Sequence, residues 1–352
     1  MLKIALLAPF EESVPPKKYG GTEVIVAHLA NELTKRGHKV YLFATQDSKT
    51  KANLIPIFKR AIRKEKFSQN LQIRDAMKYI GVSKILKHLK DLDIDLIHNH
   101  LGWRFLPFAD LIKKPVLTTL HGPLNIPYQQ FVYKKFKNFP FVSISNSQRK
   151  FLPSLNFVAT VYNGIDLKIH NFNPSIKKEN YLAFLGRMSP EKGPFEAIQI
   201  AKLAKRPLKM AAKIDVVDKS YFETKIKPLI DGKEIQYLGE ISQKEKVKFL
   251  QKAIALLAPL QWEEPFGLFM AEAMACGTPV IAFNRGSAKE LIKDGKTGFI
   301  VKNIKEAALV LKKINQIQPK DCRQWVEKNF SKEKMVENYE KVYIKILKSN
   351  FS

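Results

Sequence analysis

Only two cysteines, Cys276 and Cys322, occur among 352 residues. They form neither a disulfide framework nor a zinc-ligand spacing. Each falls in a segment patterned as helix, so they read as core or half-buried thiols of a reducing compartment. No run approaches the roughly 18 apolar residues of a membrane span. The apolar opening Met1-Leu-Lys-Ile-Ala-Leu-Leu-Ala-Pro9 is too short, and lacks the small-residue cleavage site, for a signal peptide. It reads as a first strand, and a cytoplasmic protein is expected. Arginine is scarce too: ten of the 60 basic residues are Arg and fifty are Lys. The formal net charge of +27 therefore lacks the planar fork that reads base edges and phosphates. No basic–aromatic recognition motif accompanies it, so nucleic acid is not expected as a partner.

What is present is length, apolar content and a repeated α/β pattern. At 352 residues and 45% hydrophobic, the chain fills two cores rather than one. Strands are predicted at 3–8, 38–44, 95–98, 116–120, 141–144 and 158–162, with helices at 23–37 and around 73–92. Residues 168–180 are polar, carry a proline and lack periodicity, which predicts a linker. Beyond them the alternation restarts, with strands at 181–186, 208–213, 235–239, 255–259, 280–283 and 298–301. The expected organisation is an N-terminal Rossmann-like domain over 1–170, a linker at 171–180, a C-terminal Rossmann-like domain over 181–330 and a final helix from 331. Each half is then a doubly wound α/β domain with a mostly parallel sheet, and a ligand is expected between them.

Glu264-Pro-Phe-Gly-Leu-Phe-Met-Ala-Glu272 is the most informative stretch. It bridges a predicted strand and a predicted helix, and Gly277-Thr278-Pro279 then stops the helix. Ligands collect at the carboxyl ends of strands in such sheets, which is where Glu264 falls. Free N–H groups of the helix start bind hydroxyl or phosphate oxygens, and a carboxylate accepts two bonds from a vicinal diol. Alone, the pair could equally be a surface loop Glu and a solvated helix Glu. Arg187 and Lys192 follow another strand on the same edge, a fork and a mobile point charge suited to a diphosphate. In an inert loop they would be commonplace. Gly20-Gly21-Thr22-Glu23 opens a helix after the first strand, where paired glycines admit an anion; the plain alternative is a tight turn capped by Thr22. His121 ends the 116–120 strand, placed to bond a sugar hydroxyl, to move a proton, or to serve packing.

Taken together, these residues resemble the family 4 retaining glycosyltransferases of the GT-B fold. The resemblance runs through Gly20-Gly21-Thr22-Glu23, His121-Gly122, Tyr162-Asn163-Gly164-Ile165-Asp166, Gly186-Arg187, Glu191-Lys192 and the Glu264–Pro279 stretch. It implies two Rossmann-like domains facing each other across a cleft. By the same likeness Glu264 meets the donor sugar hydroxyls, Glu272 holds the ribose, and the amides of Phe266, Gly267 and Leu268 help bind the hexose. Arg187 and Lys192 would take the diphosphate, Gly20 and Gly21 would close on it, and His121 would lie against the transferred sugar. The opening Pro15-Pro-Lys-Lys-Tyr-Gly-Gly-Thr-Glu23 with Leu117-Thr-Thr-Leu-His-Gly122 resembles a subgroup that includes glucosyltransferases of small molecules.

The implied reaction is transfer of a hexose from a nucleoside diphosphate sugar, with UDP-glucose favoured, to an acceptor that is a small molecule, glycan or lipid. No side-chain nucleophile is evident, which favours front-face attack through an oxocarbenium-like ion pair, with the leaving phosphate taking the acceptor's proton. Cations and helix dipoles then stand in for a metal, and no cofactor is expected beyond the substrate itself. A nucleotide-sugar epimerase or a sugar phosphorylase is the alternative on this fold, and a basic membrane- or nucleic-acid-binding protein the non-enzymatic one. Asp93-Ile-Asp95 lies at the amino end of its strand, away from the ligand edge, and His98 with His100 lacks a third metal ligand. Residues 49–66, with Leu54, Phe58, Ala61 and Ile62 at helical spacing, and residues 128–139 are basic and amphipathic, a pattern that binds anionic bilayers. A solvated basic face over ordinary core contacts is the favoured reading, with peripheral contact at the inner membrane face as the alternative.

Overall fold

The computed structural model describes residues 1–17 and 20–349. Lys18 and Tyr19, part of the diglycine opening, lie outside the described residues. The chain divides into two compact units. One comprises Met1–Gly164 with the C-terminal helix Lys332–Ser349, and the other Ile165–Ser331.

The first unit holds seven strands: β1 Lys3–Leu7, β2 Lys39–Thr45, β3 Asn53–Phe58, β4 Leu96–Asn99, β5 Val116–Leu120, β6 Phe141–Ser143 and β7 Phe157–Thr160. They run parallel in the order β3-β2-β1-β4-β5-β6-β7. Strands such as Ile4–Leu7 are buried along their length, as a parallel sheet covered on both faces requires. The order reverses between β1 and β4, and the loops there leave from the carboxyl ends of the strands. Helix Gly21–Lys35 follows β1 and buries Ile25, Val26, Leu29, Ala30 and Leu33, a stripe at helical period.

The second unit repeats the plan with six strands: β8 Leu182–Arg187, β9 Leu208–Lys213, β10 Ile235–Gly239, β11 Ala255–Ala258, β12 Val280–Phe283 and β13 Gly298–Val301. All pairings are parallel, in the order β10-β9-β8-β11-β12-β13. Its reversal lies between β8 and β11, the strands that lead into Arg187 and Glu264.

Two sequence expectations need correcting. Residues 171–180 are not a linker: Gln251 Nε2 donates to the Asn171 carbonyl at 2.8 Å, Lys178 Nζ to Thr278 Oγ1 at 2.7 Å, and the Glu179 amide to the Lys252 carbonyl at 2.7 Å. Side chains from distant parts of the second unit satisfy this polar segment, which its lack of periodicity could not reveal. Residues 49–66 are not an amphipathic helix. Asn53–Phe58 pairs with β2 as the edge strand, where Pro56 is tolerated. Residues 128–139 do contain a helix, Pro127–Lys135, which exposes Tyr128 and Phe131 and buries Tyr133.

The last helix belongs to the first unit because its apolar stripe, Met335, Val336, Tyr339, Val342, Tyr343 and Ile346, is buried there. Glu340 anchors it to Arg36 at 2.9 Å and His38 at 3.0 Å. Among the described residues, no helix is long and apolar enough to cross a membrane.

Candidate active site

In the second unit the chain leaves β11 at Ala258 and turns through residues 259–267 before helix Leu268–Ala275 begins. Gly267 caps that helix at φ +81, where an added Cβ would meet Met270 Cε at 2.4 Å. The loop is pinned from the turn after β12. Ser287 donates from its amide to the Glu264 carbonyl at 3.0 Å and from Oγ to the Phe266 carbonyl at 2.6 Å. Gly286 packs so closely that a Cβ there would lie 2.3 Å from the Glu264 carbonyl oxygen. Glu264 is thereby held nearly buried, at 8% exposure. The amides of Gly267 and Leu268 have no protein acceptor among the described residues, as at any helix start.

Lys192, on the turn after β8, forms an ion pair with Oε2 of Glu264. Trp262 Nε1 donates to the same oxygen at 3.2 Å. The Lys192 ammonium also lies 4.7 Å from the Trp262 ring centre and 5.6 Å from that of Phe269, a partly desolvated cation–π setting. Oε1 of Glu264 has no protein partner among the described residues. Arg187 pairs with Glu191 and lies 3.1 Å from Oδ2 of Asp218.

Glu272 repeats the asymmetry. Its Oε1 accepts from Lys246 Nζ at 2.6 Å and lies 3.4 Å from Nε2 of His170. Its Oε2 has no protein partner among the described residues. Burial would raise the pKa of this carboxyl, but the Lys246 ammonium and His170 outweigh burial and hold it well below the usual carboxylate range. It is ionised near pH 7. Each glutamate is thus fixed by cations through one oxygen and keeps the other for a hydroxyl donor.

In the first unit Gly20 takes the helix cap position of Gly21–Lys35 with no side-chain capping bond. Thr22 lies inside the helix, so the alternative of a Thr22 cap is not formed. Glu23, the next residue, is buried, and burial pushes its carboxyl up to about 7. His121 follows β5, and its Nε2 lies 2.8 Å from Nδ1 of His100 at the end of β4. Burial lowers the His121 pKa to about 4, so the ring is neutral near pH 7. Asp93 and Asp95 meet Lys3 at the amino edge of the sheet, away from the carboxyl-end loops.

Two family models match the chain. "Glycosyltransferase Family 4" covers residues 19–169 and "Glycosyl transferases group 1" covers 166–332. Together they span all but the two ends. The chain is a family 4 glycosyltransferase of the GT-B fold. It is 25% identical to N-acetyl-alpha-D-glucosaminyl L-malate synthase of Bacillus anthracis, over 94% of this chain and 95% of that one. Among solved structures it is similar to AviGT4, a glycosyltransferase involved in avilamycin A biosynthesis (TM-score 0.76, 21% identity, 99% and 98% of the two chains). It is likewise similar to Anabaena HepE in complex with UDP-glucose (TM-score 0.72, 19% identity, 97% and 99%).

Within the glycosyltransferase the structure brings together Lys192, Glu264 and the helix start at Phe266, Gly267 and Leu268. It places Arg187 with Glu191 and Asp218, and Glu272 with Lys246 and His170. Gly20, Gly21 and His121 belong to the other unit. Sequence reasoning missed Trp262, Asp218, His170 and Lys246. Trp262 carried a usable signal, an amphipathic aromatic two residues before Glu264. Lys246 carried none, being one of fifty lysines.

Proposed function

We propose that this glycosyltransferase transfers glucose from UDP-glucose with retention of configuration, without a metal ion. The observation that carries the reading is the paired asymmetry of Glu264 and Glu272 at the reversal point of the second sheet. Glu264 Oε1 would accept from hexose hydroxyls and Glu272 Oε2 from the ribose diol. Arg187 and Lys192 would stabilise the charge that develops on the departing diphosphate, where fixed electrostatics contribute most. A diphosphate has to compete with Glu191 and Asp218 for Arg187, so donor binding would rearrange those ion pairs. Gly20 and Gly21 would contribute amides to the diphosphate, and His121 a hydrogen bond to the transferred sugar. Glu264, anchored through Oε2 and offering Oε1 to hexose hydroxyls, is read as a hydroxyl binder and not as a nucleophile, which favours front-face attack with the phosphate taking the proton. Similarity to HepE, solved with UDP-glucose, supports the choice of donor.

A thermal-shift series with UDP, GDP, ADP and their glucose conjugates tests the donor, because a ligand of the native state raises its stability. UDP-glucose should give the largest shift. A larger shift with a GDP or ADP sugar would overturn the choice of UDP-glucose. Proton NMR of the product then reads the anomeric configuration, and inversion would overturn the retaining mechanism.

A further inference from the structure

His98 in β4 and His100 just past its end lie two apart, and their rings sit 4.0 Å apart, centre to centre. His98 is wholly buried. Its Nδ1 lies 2.8 Å from the Tyr343 hydroxyl and its Nε2 2.7 Å from Thr119 Oγ1, which in turn lies 3.0 Å from the Tyr339 hydroxyl. His98 is therefore a fixed platform. The His100 ring lies tilted against it at 41°, and its amide is tied to the Leu7 carbonyl at 3.0 Å. The other contact of the His100 ring is Nδ1 to Nε2 of His121 at 2.8 Å. Nε2 of His100 is buried with no hydrogen-bond partner among the described residues.

A 2.8 Å contact between two neutral imidazoles holds one proton, and its owner fixes both tautomers. If His121 donated, His100 would carry its proton on Nε2, leaving a buried N–H with no acceptor. If His100 donates, its Nε2 is a bare lone pair, and the costlier orphan is avoided. His121 then accepts at Nε2 and keeps its own proton on Nδ1. That nitrogen has no protein partner among the described residues, and His121 is partly exposed.

We propose that His100 is a positioning residue: it fixes His121 as the Nδ1–H tautomer, so that His121 donates a hydrogen bond to a substrate hydroxyl instead of serving as a base. The proposal rests on the reading of His121 as the residue against the transferred sugar.

Ring 15N spectra of the full-length protein test the tautomer without any substrate, with His121→Asn used to assign the His121 signals. Wild type should show the proton on Nδ1 of His121. His100→Ala should release that preference, and His100→Asn, whose side-chain nitrogen replaces Nδ1 as donor, should restore it. UDP release from UDP-glucose should fall on the order of 10–100-fold in His100→Ala, the range for loss of a hydrogen-bonding partner that orients a metal-ligating histidine. It should return most of the way in His100→Asn, with the UDP-glucose KM little changed throughout. A wild-type His121 protonated on Nε2, or unchanged His121 signals in His100→Ala, would overturn the proposal. Wild-type UDP release from His121→Ala would instead overturn the reading of His121 itself, while the spectra would still decide the pairing.

Discussion

Lys192 meets Glu264 through Oε2 alone, the oxygen that also accepts from Trp262. One buried carboxylate is thus split into an anchored half and an offered half. The carboxylate is fixed before any substrate arrives, which is what preorganised binding of a hexose requires.

Replacing Glu264 removes both halves. Glu264→Ala should lower UDP release from UDP-glucose by about 10²–10³-fold, the range for loss of a fixed electrostatic contact to the reacting group. Far-ultraviolet circular dichroism should be unchanged, since the loop remains held by Ser287. Glu264→Gln should do less harm to stability but should still lose the ion pair with Lys192.

Lys246 should matter through Glu272. The sign follows from a carboxyl whose folded pKa is depressed below its unfolded value: its stabilisation is present above the unfolded pKa and is lost as pH falls through the folded one. In Lys246→Met, burial is opposed only by His170, so the folded pKa rises and that stabilisation shrinks. Acid unfolding should therefore begin at higher pH in the variant than in wild type, as followed by tryptophan fluorescence. UDP affinity should weaken as well.

How far the site could be read without coordinates differs by residue. The positions of Arg187, Lys192 and Glu264 at or past strand ends on the carboxyl edge, and of Glu272 in the helix that follows, were legible because local pattern fixes them. The pairing of Lys246 with Glu272 was not, since it joins two helices 26 positions apart on a chain full of lysines. The 49–66 segment misled because Leu54, Phe58, Ala61 and Ile62 fit a helical period, whereas β2 offers its backbone as a template for a strand. His100 and His121 end different strands, so only the sheet order that sets β4 beside β5 shows they meet.

Glu23 should make the protein less stable on the alkaline side. Its folded pKa, about 7, is raised by burial above the ordinary 4.5. The folded state therefore binds more protons between those values, and the contribution of Glu23 is present below 4.5 and lost as pH rises through 7. Glu23→Gln should raise the melting temperature at pH 8, by the equivalent of about 1–3 kcal/mol, and change it little at pH 4.5.

Gly286 should not tolerate a side chain. It sits at φ +54 against the Glu264 backbone, so Gly286→Ala combines strain with a clash that no side-chain rotation relieves. A loss of about 1–3 kcal/mol in urea unfolding is expected. UDP-glucose affinity should fall with it because Glu264 moves.

The division of labour between the two glutamates is tested most directly by calorimetric titration of UDP and UDP-glucose into wild type, Glu264→Ala and Glu272→Ala. The account predicts that Glu272→Ala weakens both ligands, since the ribose is common to them. Glu264→Ala should weaken UDP-glucose and leave UDP close to its wild-type affinity. Equal weakening of UDP and UDP-glucose by Glu264→Ala, or unchanged UDP binding in Glu272→Ala, would contradict it.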